Sequence, residues 1–339
     1  MVDYEPVQYI RKVALVGGTG NLGSHILQNL LATSKHHVTV LTRTSSTATF
    51  PFNVNLTVAE VDYSSESSII DALRGNEFLI ITLNARTPPT LHSSIVNAAA
   101  KAGVQYIMPN YYAYGIGSRA GGLSSDPILG SFSNFIGDVK NVGDDSVSYV
   151  ALVCGFWYEF SLALGEQWLG FVIKNRTVTM YDEGTRKINT STWEQCGKAV
   201  AGLLSLPASK QKNKGPTVQD WKNEGLYISS FLISQRDILN SLHRVLGTRD
   251  EDWKISYERV EERYKHGLEE MQSGNRLGFA KAMYARLFFP SGEGDYETGH
   301  VLDNEKLGLP KESLDAATKR ALDLVETGVG GYGANSKPQ

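Results

Sequence analysis

Residues 13–31, VALVGGTGNLGSHILQNLL, contain a short apolar run, a glycine-rich turn and a helical pattern in immediate succession. The apolar residues 13–16 predict a strand that is buried on both faces. Leucine and isoleucine then recur at helical spacing from Leu22 onward. The glycines therefore lie where a strand turns into a helix, and this context is typical of a dinucleotide-binding site.

Two glycine registers fit this turn. Gly18, Gly20 and Gly23 give the pattern G-x-G-x-x-G, whereas Gly17, Gly20 and Gly23 give G-x-x-G-x-x-G. In either register the early glycines permit a tight turn and close approach of a pyrophosphate, and the last lets the helix pack on the strand. The alternative is a glycine-rich turn that holds no ligand. The contacts expected if a cofactor binds are Gly17, Thr19, Gly20, Asn21, Leu22 and Gly23.

Strand-like and helix-like segments continue to alternate as far as residue 155, with six strands predicted at 13–16, 36–43, 54–63, 77–83, 104–110 and 146–155, and this alternation predicts the fold class. We expect an α/β protein with a doubly wound, parallel Rossmann sheet and a smaller C-terminal substrate-binding region. The expected division is a NAD(P)-binding domain over 1–155, a substrate-covering region of helices and short strands over 156–327, and a flexible tail over 328–339. Ligands of such sheets bind beyond the carboxyl ends of the strands.

Composition excludes several other classes of protein. The net charge of −3 favours neither a nucleic-acid partner nor an anionic membrane surface. No apolar run is long enough to span a bilayer, and the N-terminus lacks the features of a secretory signal. The two cysteines fit a reducing compartment, so a cytoplasmic protein is expected. No histidine or cysteine pair has metal-ligand spacing, so no metal is expected.

The residue after the second predicted strand indicates which cofactor is preferred. NAD-preferring sites place Asp or Glu there, but this chain has Arg43, followed by Thr44. An arginine would pair with the 2′-phosphate of NADPH, whereas a carboxylate would repel it. NADPH (NADP+) is therefore the expected cofactor, with Asn84 after the fourth strand as a further contact. A solvated arginine compatible with either cofactor is the alternative.

Three segments carry a family resemblance. VALVGGTGNLGSHILQNLL, VDYSSESSIIDALRGNEFLIITL and VNAAAKAGVQYIMPNYYAYG, in that order, resemble the NmrA-like and isoflavone-reductase-like family of atypical short-chain dehydrogenases. SYVALVCGFWYEFSLA and YISSFLISQRDILNSL are similar to its fungal branch. The resemblance covers roughly residues 11–300. It implies a Rossmann core and NADPH-dependent reduction of small aromatic or polyketide-like molecules. It also implies the alternative, a nucleotide-sensing regulator that binds NAD(P) and a protein partner without turnover.

Catalytic candidates follow from comparison with short-chain dehydrogenases, which pair a tyrosine with a lysine four residues later. Here Lys140 precedes the sixth predicted strand, but Ile136 stands where the tyrosine would be. The resemblance implies that Lys140 holds the cofactor ribose and organises proton transfer. A surface lysine is the alternative. After the fifth strand, Asn110, Tyr111 and Tyr114 could donate to a reacting oxygen, although aromatic residues at a strand end often only pack.

The residues after the sixth strand predict the substrate pocket. Phe156, Trp157 and Tyr158 are expected to line an apolar pocket near the nicotinamide, which would suit an aromatic substrate. We therefore expect an NADPH-dependent reductase of a small, largely apolar metabolite. The nucleotide-sensing regulator is the second hypothesis. The sequence determines neither the identity of the substrate nor the oligomeric state.

Overall fold

The computed structural model describes residues 8–84, 87–142, 147–210 and 215–328. The expected tail beyond residue 328 lies outside the described residues. The strands are β1 Lys12–Val16, β2 His37–Arg43, β3 Leu56–Val61, β4 Phe78–Ile81, β5 Tyr106–Met108, β6 Tyr112–Ala113, β7 Ser148–Val153, β8 Phe156–Trp157, β9 Phe171–Val172, β10 Thr177–Tyr181, β11 Lys187–Ser191, β12 Glu224–Tyr227, β13 Phe231–Ser234 and β14 Lys254–Glu258. The helices are α1 Asn21–Ala32, α2 Glu66–Leu73, α3 Pro89–Lys101, α4 Ser133–Lys140, α5 Tyr158–Ala163, α6 Glu166–Leu169, α7 Trp193–Leu204, α8 Gln235–Leu246, α9 Val260–Gln272, α10 Arg276–Leu287 and α11 Leu314–Thr327.

The central sheet has the strand order β12-β7-β5-β4-β1-β2-β3, and β6 pairs with β7 beyond the end of β5. The strands pair in parallel. This topology confirms the predicted doubly wound Rossmann sheet. The order reverses at β1, with β2 on one side and β4 on the other, so the carboxyl end of β1 is the switch point where ligands bind in such sheets.

Alternate residues of β1 face two separate cores. Val13 and Leu15 lie in a cluster with the apolar faces of α1 and α7. Ala14 and Val16 lie in the other cluster, with residues of α2, α3 and α4. All four side chains are at most 2% exposed. Helices therefore cover both faces of the sheet, as the continuous apolar strands predict.

Two small sheets extend the second half of the chain. One has the order β14-β10-β9, and the other has the order β13-β11-β8. Next to the first, the guanidinium of Arg263 on α9 is 1% exposed. It donates to Glu166 at 2.6 Å and Glu258 at 2.8 Å, and it lies over the ring of Tyr181. This shared cation ties α6, β14 and α9 together.

Residues on both sides of the expected boundary at residue 155 contribute to the central sheet. Strand β12, from the second half, pairs with β7 and completes the central sheet. Helix α7, also from the second half, packs along α1. The second half of the chain is thus joined to the first through the shared sheet, through the packing of α7 on α1, and through side-chain contacts such as that of Arg286 with Asp126. In the described ranges, none of the helices has the length and apolar character needed to cross a bilayer.

Close packing of α7 on α1 requires a glycine at position 197. A Cβ there would lie 2.6 Å from the backbone oxygen of His25. We expect Gly197→Ala to lower the free energy of unfolding by about 1–3 kcal/mol, because backbone and side chain must shift apart. Gly137→Ala in α4, where a Cβ meets nothing within 4 Å, is the control, and it should raise stability by about 0.5–1 kcal/mol. Urea unfolding measures both, and equal stability of Gly197→Ala and the parent would contradict this packing.

Candidate active site

The turn between β1 and α1 is held by Thr82 at the end of β4. Gly17 has a φ of +82°, a conformation that favours glycine, and a Cβ on it would lie 2.1 Å from the backbone oxygen of Thr82. The hydroxyl of Thr82 donates to the carbonyl oxygens of Val16, at 2.7 Å, and Gly17, at 3.2 Å. The amide of Gly20 also donates to Gly17, at 2.9 Å. The turn is therefore fixed from both sides before any ligand binds.

The contacts of Gly23 favour one of the two glycine registers. A Cβ on Gly23 would lie 2.1 Å from the carbonyl oxygen of Gly17, so these two glycines depend on each other. A Cβ on Gly18 would meet only side-chain atoms, the nearest at 3.0 Å on Val40. The structural pattern is thus Gly17-x-x-Gly20-x-x-Gly23, in which the first and last glycines serve the turn and the helix packing.

Gly20 is less constrained by its neighbours than Gly17 and Gly23 are. A Cβ on it would meet one atom within 4 Å, the oxygen of Gly17 at 3.3 Å. Gly20 is exposed and is the N-cap of α1, whose first turn contains no acidic residue. The helix therefore presents its first N–H groups and the positive end of its dipole to an open surface, which suits a pyrophosphate. Thr19 and Asn21 are exposed there, whereas the side chain of Leu22 is buried, leaving only its backbone to contact a ligand.

Arg43 ends β2, the strand that neighbours β1 on the side of β3. Its side chain and that of Thr44 are exposed. No carboxylate of the described residues forms an ion pair with Arg43. Tyr63, beside it, donates to the backbone of Leu41, and burial raises the pKa of Tyr63 to about 12. A free guanidinium thus lies at the carboxyl edge of the sheet, available to a phosphate.

Asn110 joins the carboxyl ends of β4 and β5. Its side chain accepts from the amide of Leu83 at 2.9 Å and donates to the carbonyl of the same residue at 3.3 Å. Its own amide donates to Nε2 of the buried His92, whose Nδ1 is 2.7 Å from Asp138. Burial lowers the pKa of His92, and because Nε2 accepts from the amide of Asn110, the ring proton that faces Asp138 is on Nδ1. Asn84 follows Leu83 and is exposed at the same edge.

The tyrosines after β5 do not have the geometry of proton donors. The hydroxyl of Tyr111 donates to the carbonyls of Tyr114, at 2.5 Å, and Gly115, at 3.1 Å. The hydroxyl of Tyr114 donates to Asn189 at 2.9 Å. Burial raises the pKa of both phenols. The geometry thus supports a packing role for Tyr111 and Tyr114, because their hydroxyl groups already donate to backbone carbonyls.

Lys140 lies at the wrong end of the sheet for its expected role. It is the last residue of α4, and its ammonium is 5.5 Å from the ring of Tyr149, the second residue of β7. Val153, where β7 reaches the carboxyl edge, is roughly 13 Å further along the strand. Helices of a doubly wound sheet run antiparallel to the strands, so the end of α4 meets the amino edge. This geometry corrects the expectation and agrees with an exposed surface lysine.

The three aromatic residues after β7 have different surroundings. Phe156 is half-buried and stacks on Tyr284, with ring centroids 3.7 Å apart. Trp157 is half-buried near Trp193 and Phe160. Tyr158 is fully buried, and its hydroxyl is 2.7 Å from that of Thr318. Phe156 and Trp157 remain available to a pocket, whereas Tyr158 is a core residue and cannot line one.

Sequence reasoning missed Thr82 and the pair of His92 and Asp138. A threonine at a strand end carries no signal of its own, and His92 and Asp138 are separated by 46 positions. Only the pairing of β1 with β4, and of α3 with α4, brings these groups to the site. The described residues contain no group of three metal-ligating side chains.

The NAD(P)H-binding family model matches residues 17–126, which span the glycine turn, Arg43 and Asn110. Oxidoreductase aprR of Aspergillus flavus is 28% identical over 307 residues, covering 90% of this chain and 96% of the relative. An isoflavone reductase crystal structure has a TM-score of 0.71 at 16% identity, covering 92% of this chain and 99% of that one. AtPrR2 with NADP+ and (+)-pinoresinol has a TM-score of 0.70 at 18% identity, covering 92% and 98%. The structural matches confirm the fold. The chain thus contains an NAD(P)H-binding domain, is similar to a protein named an oxidoreductase over most of its length, and shares its fold with an isoflavone reductase.

Proposed function

We propose that the protein is an NADPH-dependent reductase of a small, largely apolar, aromatic or polyketide-like metabolite. The observation that carries this proposal is the exposed start of α1 at Gly20, where the first N–H groups of the helix face no acidic side chain of its first turn. The bound cofactor would supply the hydride. The chain would hold the pyrophosphate on the N–H groups of α1 and orient the nicotinamide towards the ends of β5 and β7.

Arg43 supports NADPH over NADH. It is exposed at the end of β2 and has no carboxylate partner among the described residues. A guanidinium forms charge-assisted hydrogen bonds with a phosphate, and the hydroxyl of Thr44 adds a donor. In the absence of a carboxylate, the site would not repel a 2′-phosphate.

Two observations support an aromatic substrate. Phe156 and Trp157 are half-buried aromatic residues that follow the carboxyl end of β7, next to the expected nicotinamide position. The structurally similar proteins include an isoflavone reductase and a protein solved with (+)-pinoresinol. Isoflavones and pinoresinol are both aromatic compounds. Flat aromatic molecules suit a pocket with such walls.

A nucleotide-sensing role without turnover is the second candidate. One observation favours it: neither Tyr111, Tyr114 nor Lys140 offers a proton at the carboxyl edge. Relatives named as oxidoreductases favour the reductase. Loss of NADPH absorbance with a panel of aromatic ketones, enones and quinones separates the two. A sensor would bind NADPH and oxidise it with none of them.

We expect Arg43→Asp to weaken NADPH binding by about tenfold or more and to leave NADH binding the same or tighter. The substitution replaces the expected phosphate partner with a like charge, and a charged hydrogen bond contributes about 1.5–3 kcal/mol. Calorimetry with both cofactors measures the change. Arg74→Asp, an exposed arginine beyond α2, is the control. A parent protein that binds both cofactors equally would refute the assignment of Arg43.

Gly20→Val should abolish binding of either cofactor while the fold persists. A Cβ there meets one atom within 4 Å, the oxygen of Gly17 at 3.3 Å, so the variant needs only a small local shift, while its methyl groups block approach of the pyrophosphate. Circular dichroism should match the parent, and titration with NADPH should show no binding. Retained affinity in the folded variant would show that the pyrophosphate lies elsewhere.

Lys140→Met tests whether Lys140 takes part in turnover. Because its ammonium lies at the amino edge, turnover should stay close to the parental rate, well short of the ~100-fold loss expected for a general acid. The rate of NADPH oxidation with any substrate found in the panel measures this. A hundredfold fall with unchanged stability would restore Lys140 as a catalytic residue.

A further inference from the structure

His92 is a buried ionisable residue next to the carboxyl edge of the sheet. It is the fourth residue of α3 and is 0% exposed. Its Nδ1 donates to Asp138 on α4 at 2.7 Å, and its Nε2 accepts from the backbone amide of Asn110 at 3.2 Å. Both ring nitrogens are therefore used inside the protein, so His92 cannot exchange a proton with a substrate directly.

The amide of Asn110 connects this pair to the ends of two strands. Asn110 follows β5, and its side chain is bound twice to the backbone of Leu83, beyond the end of β4. The next residue, Asn84, is exposed at the same edge. Hydrogen bonds thus run from Asp138 through His92 and Asn110 to the backbone that precedes Asn84. This is the side of the sheet where the nicotinamide is expected.

Only a neutral His92 can hold Asn110 in this way. A protonated imidazole carries an N–H on both nitrogens, so Nε2 would then face the amide of Asn110 donor to donor. Burial lowers the pKa of His92, and the hydrogen bond and charge of Asp138 oppose this only in part. The contact is therefore complete above the ordinary histidine pKa, and it is lost as the pH falls through the lowered pKa of the folded protein.

Asp138 is the charge that acts on His92 among the described residues. Helix α4 also contributes the ring of Phe135, whose centroid is 4.7 Å from that of the imidazole. Strands β4 and β5 contain no charged residue. The charged residues of α2, which also packs on α3, form separate ion pairs, Glu66–Lys101 and Asp71–Arg74. Within this part of the chain, burial and Asp138 therefore set the protonation of His92.

We infer that His92 and Asp138 are positioning residues, which hold the backbone at Leu83 and Asn110 in the conformation that receives the nicotinamide half of the cofactor. The adenosine half is expected at Arg43, which ends β2 on the opposite side of β1. His92 therefore acts on one half of the ligand, and its protonation releases that half as the pH falls. The inference rests on the proposed NADPH site and adds a pH-dependent control to it.

The test compares the affinities of NADPH and of adenosine 2′,5′-bisphosphate, which carries the adenosine and 2′-phosphate of NADPH but no nicotinamide. Calorimetry at pH 8 measures both. We expect His92→Leu, which removes the acceptor for Asn110, to weaken NADPH binding about fivefold to tenfold and to change binding of the bisphosphate less than about twofold. A general loss of structure would weaken the binding of both ligands alike.

His92→Gln is the conservative variant. A glutamine amide has an oxygen that can accept from Asn110 and an N–H that can donate to Asp138, and it does not titrate. It should keep the NADPH affinity of the parent within about twofold at pH 8. Between pH 8 and pH 5 the parent should lose about threefold or more NADPH affinity beyond what His92→Gln loses. The 2′-phosphate also takes up a proton at about pH 6, but it does so with both proteins and cancels in this comparison.

His36→Leu is the matched control. His36 is 1% exposed, its Nδ1 donates to the carbonyl of Ile10 at 2.7 Å, and burial lowers its pKa as it does that of His92. It precedes β2, at the amino edge of the sheet. This variant should lower the melting temperature, as His92→Leu does, and leave the affinities of both ligands unchanged.

Three results would overturn the inference: parental NADPH affinity in a folded His92→Leu variant, an equal loss of affinity for both ligands, or the same pH dependence in the parent and His92→Gln. Should His92→Leu not fold, the third comparison decides, because the glutamine variant keeps both hydrogen bonds. These outcomes differ from failure of the reductase function. A protein that binds NADPH in the expected pattern but never oxidises it would keep the positioning role and lose the function. Turnover with a cofactor affinity that does not depend on His92 would keep the function and lose the role.

Discussion

The carbonyl oxygen of Gly17 is the point on which the nucleotide-binding end of the molecule depends. It accepts from Gly20 and from the hydroxyl of Thr82, and it occupies the space that a side chain on Gly23 would need. Strand β1, the start of α1 and the end of β4 therefore meet at one atom. This leaves the start of α1 rigid and uncovered, and such preorganisation lowers the cost of ordering a site around phosphate.

Structure in the first half of the chain was predictable because local and global signals agree. The apolar run, the glycines and the helical spacing of residues 13–31 each indicate the same strand, turn and helix. The choice between the two glycine registers was not predictable. It depends on Thr82 and on the distance between Gly17 and Gly23, which only the pairing of β1 with β4 sets.

Three of the four catalytic candidates, Lys140, Tyr111 and Tyr114, have surroundings that a linear pattern does not contain. Lys140 stands before a strand in sequence, but its place at the end of α4 puts it at the amino edge. Tyr111 and Tyr114 have the right position in the chain, but their hydroxyls bind backbone carbonyls. Phe156 and Trp157 are half-buried, whereas Tyr158, the next residue, lies in the core because α5 begins there.

The shared cation of Arg263 has a consequence for how this chain can vary. The side chain of Arg263 is 1% exposed. Its guanidinium donates to the carboxylates of Glu166 and Glu258 and to the backbone carbonyl of Glu166. Removing the arginine alone would leave two carboxylates beside an apolar interior without their cation. Removing one glutamate would leave the buried guanidinium with a single carboxylate partner. Breaking such a buried pair costs about 3–5 kcal/mol, whereas replacing all of its members with apolar residues can be neutral. Substitutions at 166, 258 and 263 are therefore epistatic, and among descendants of this chain the three positions should change together or not at all.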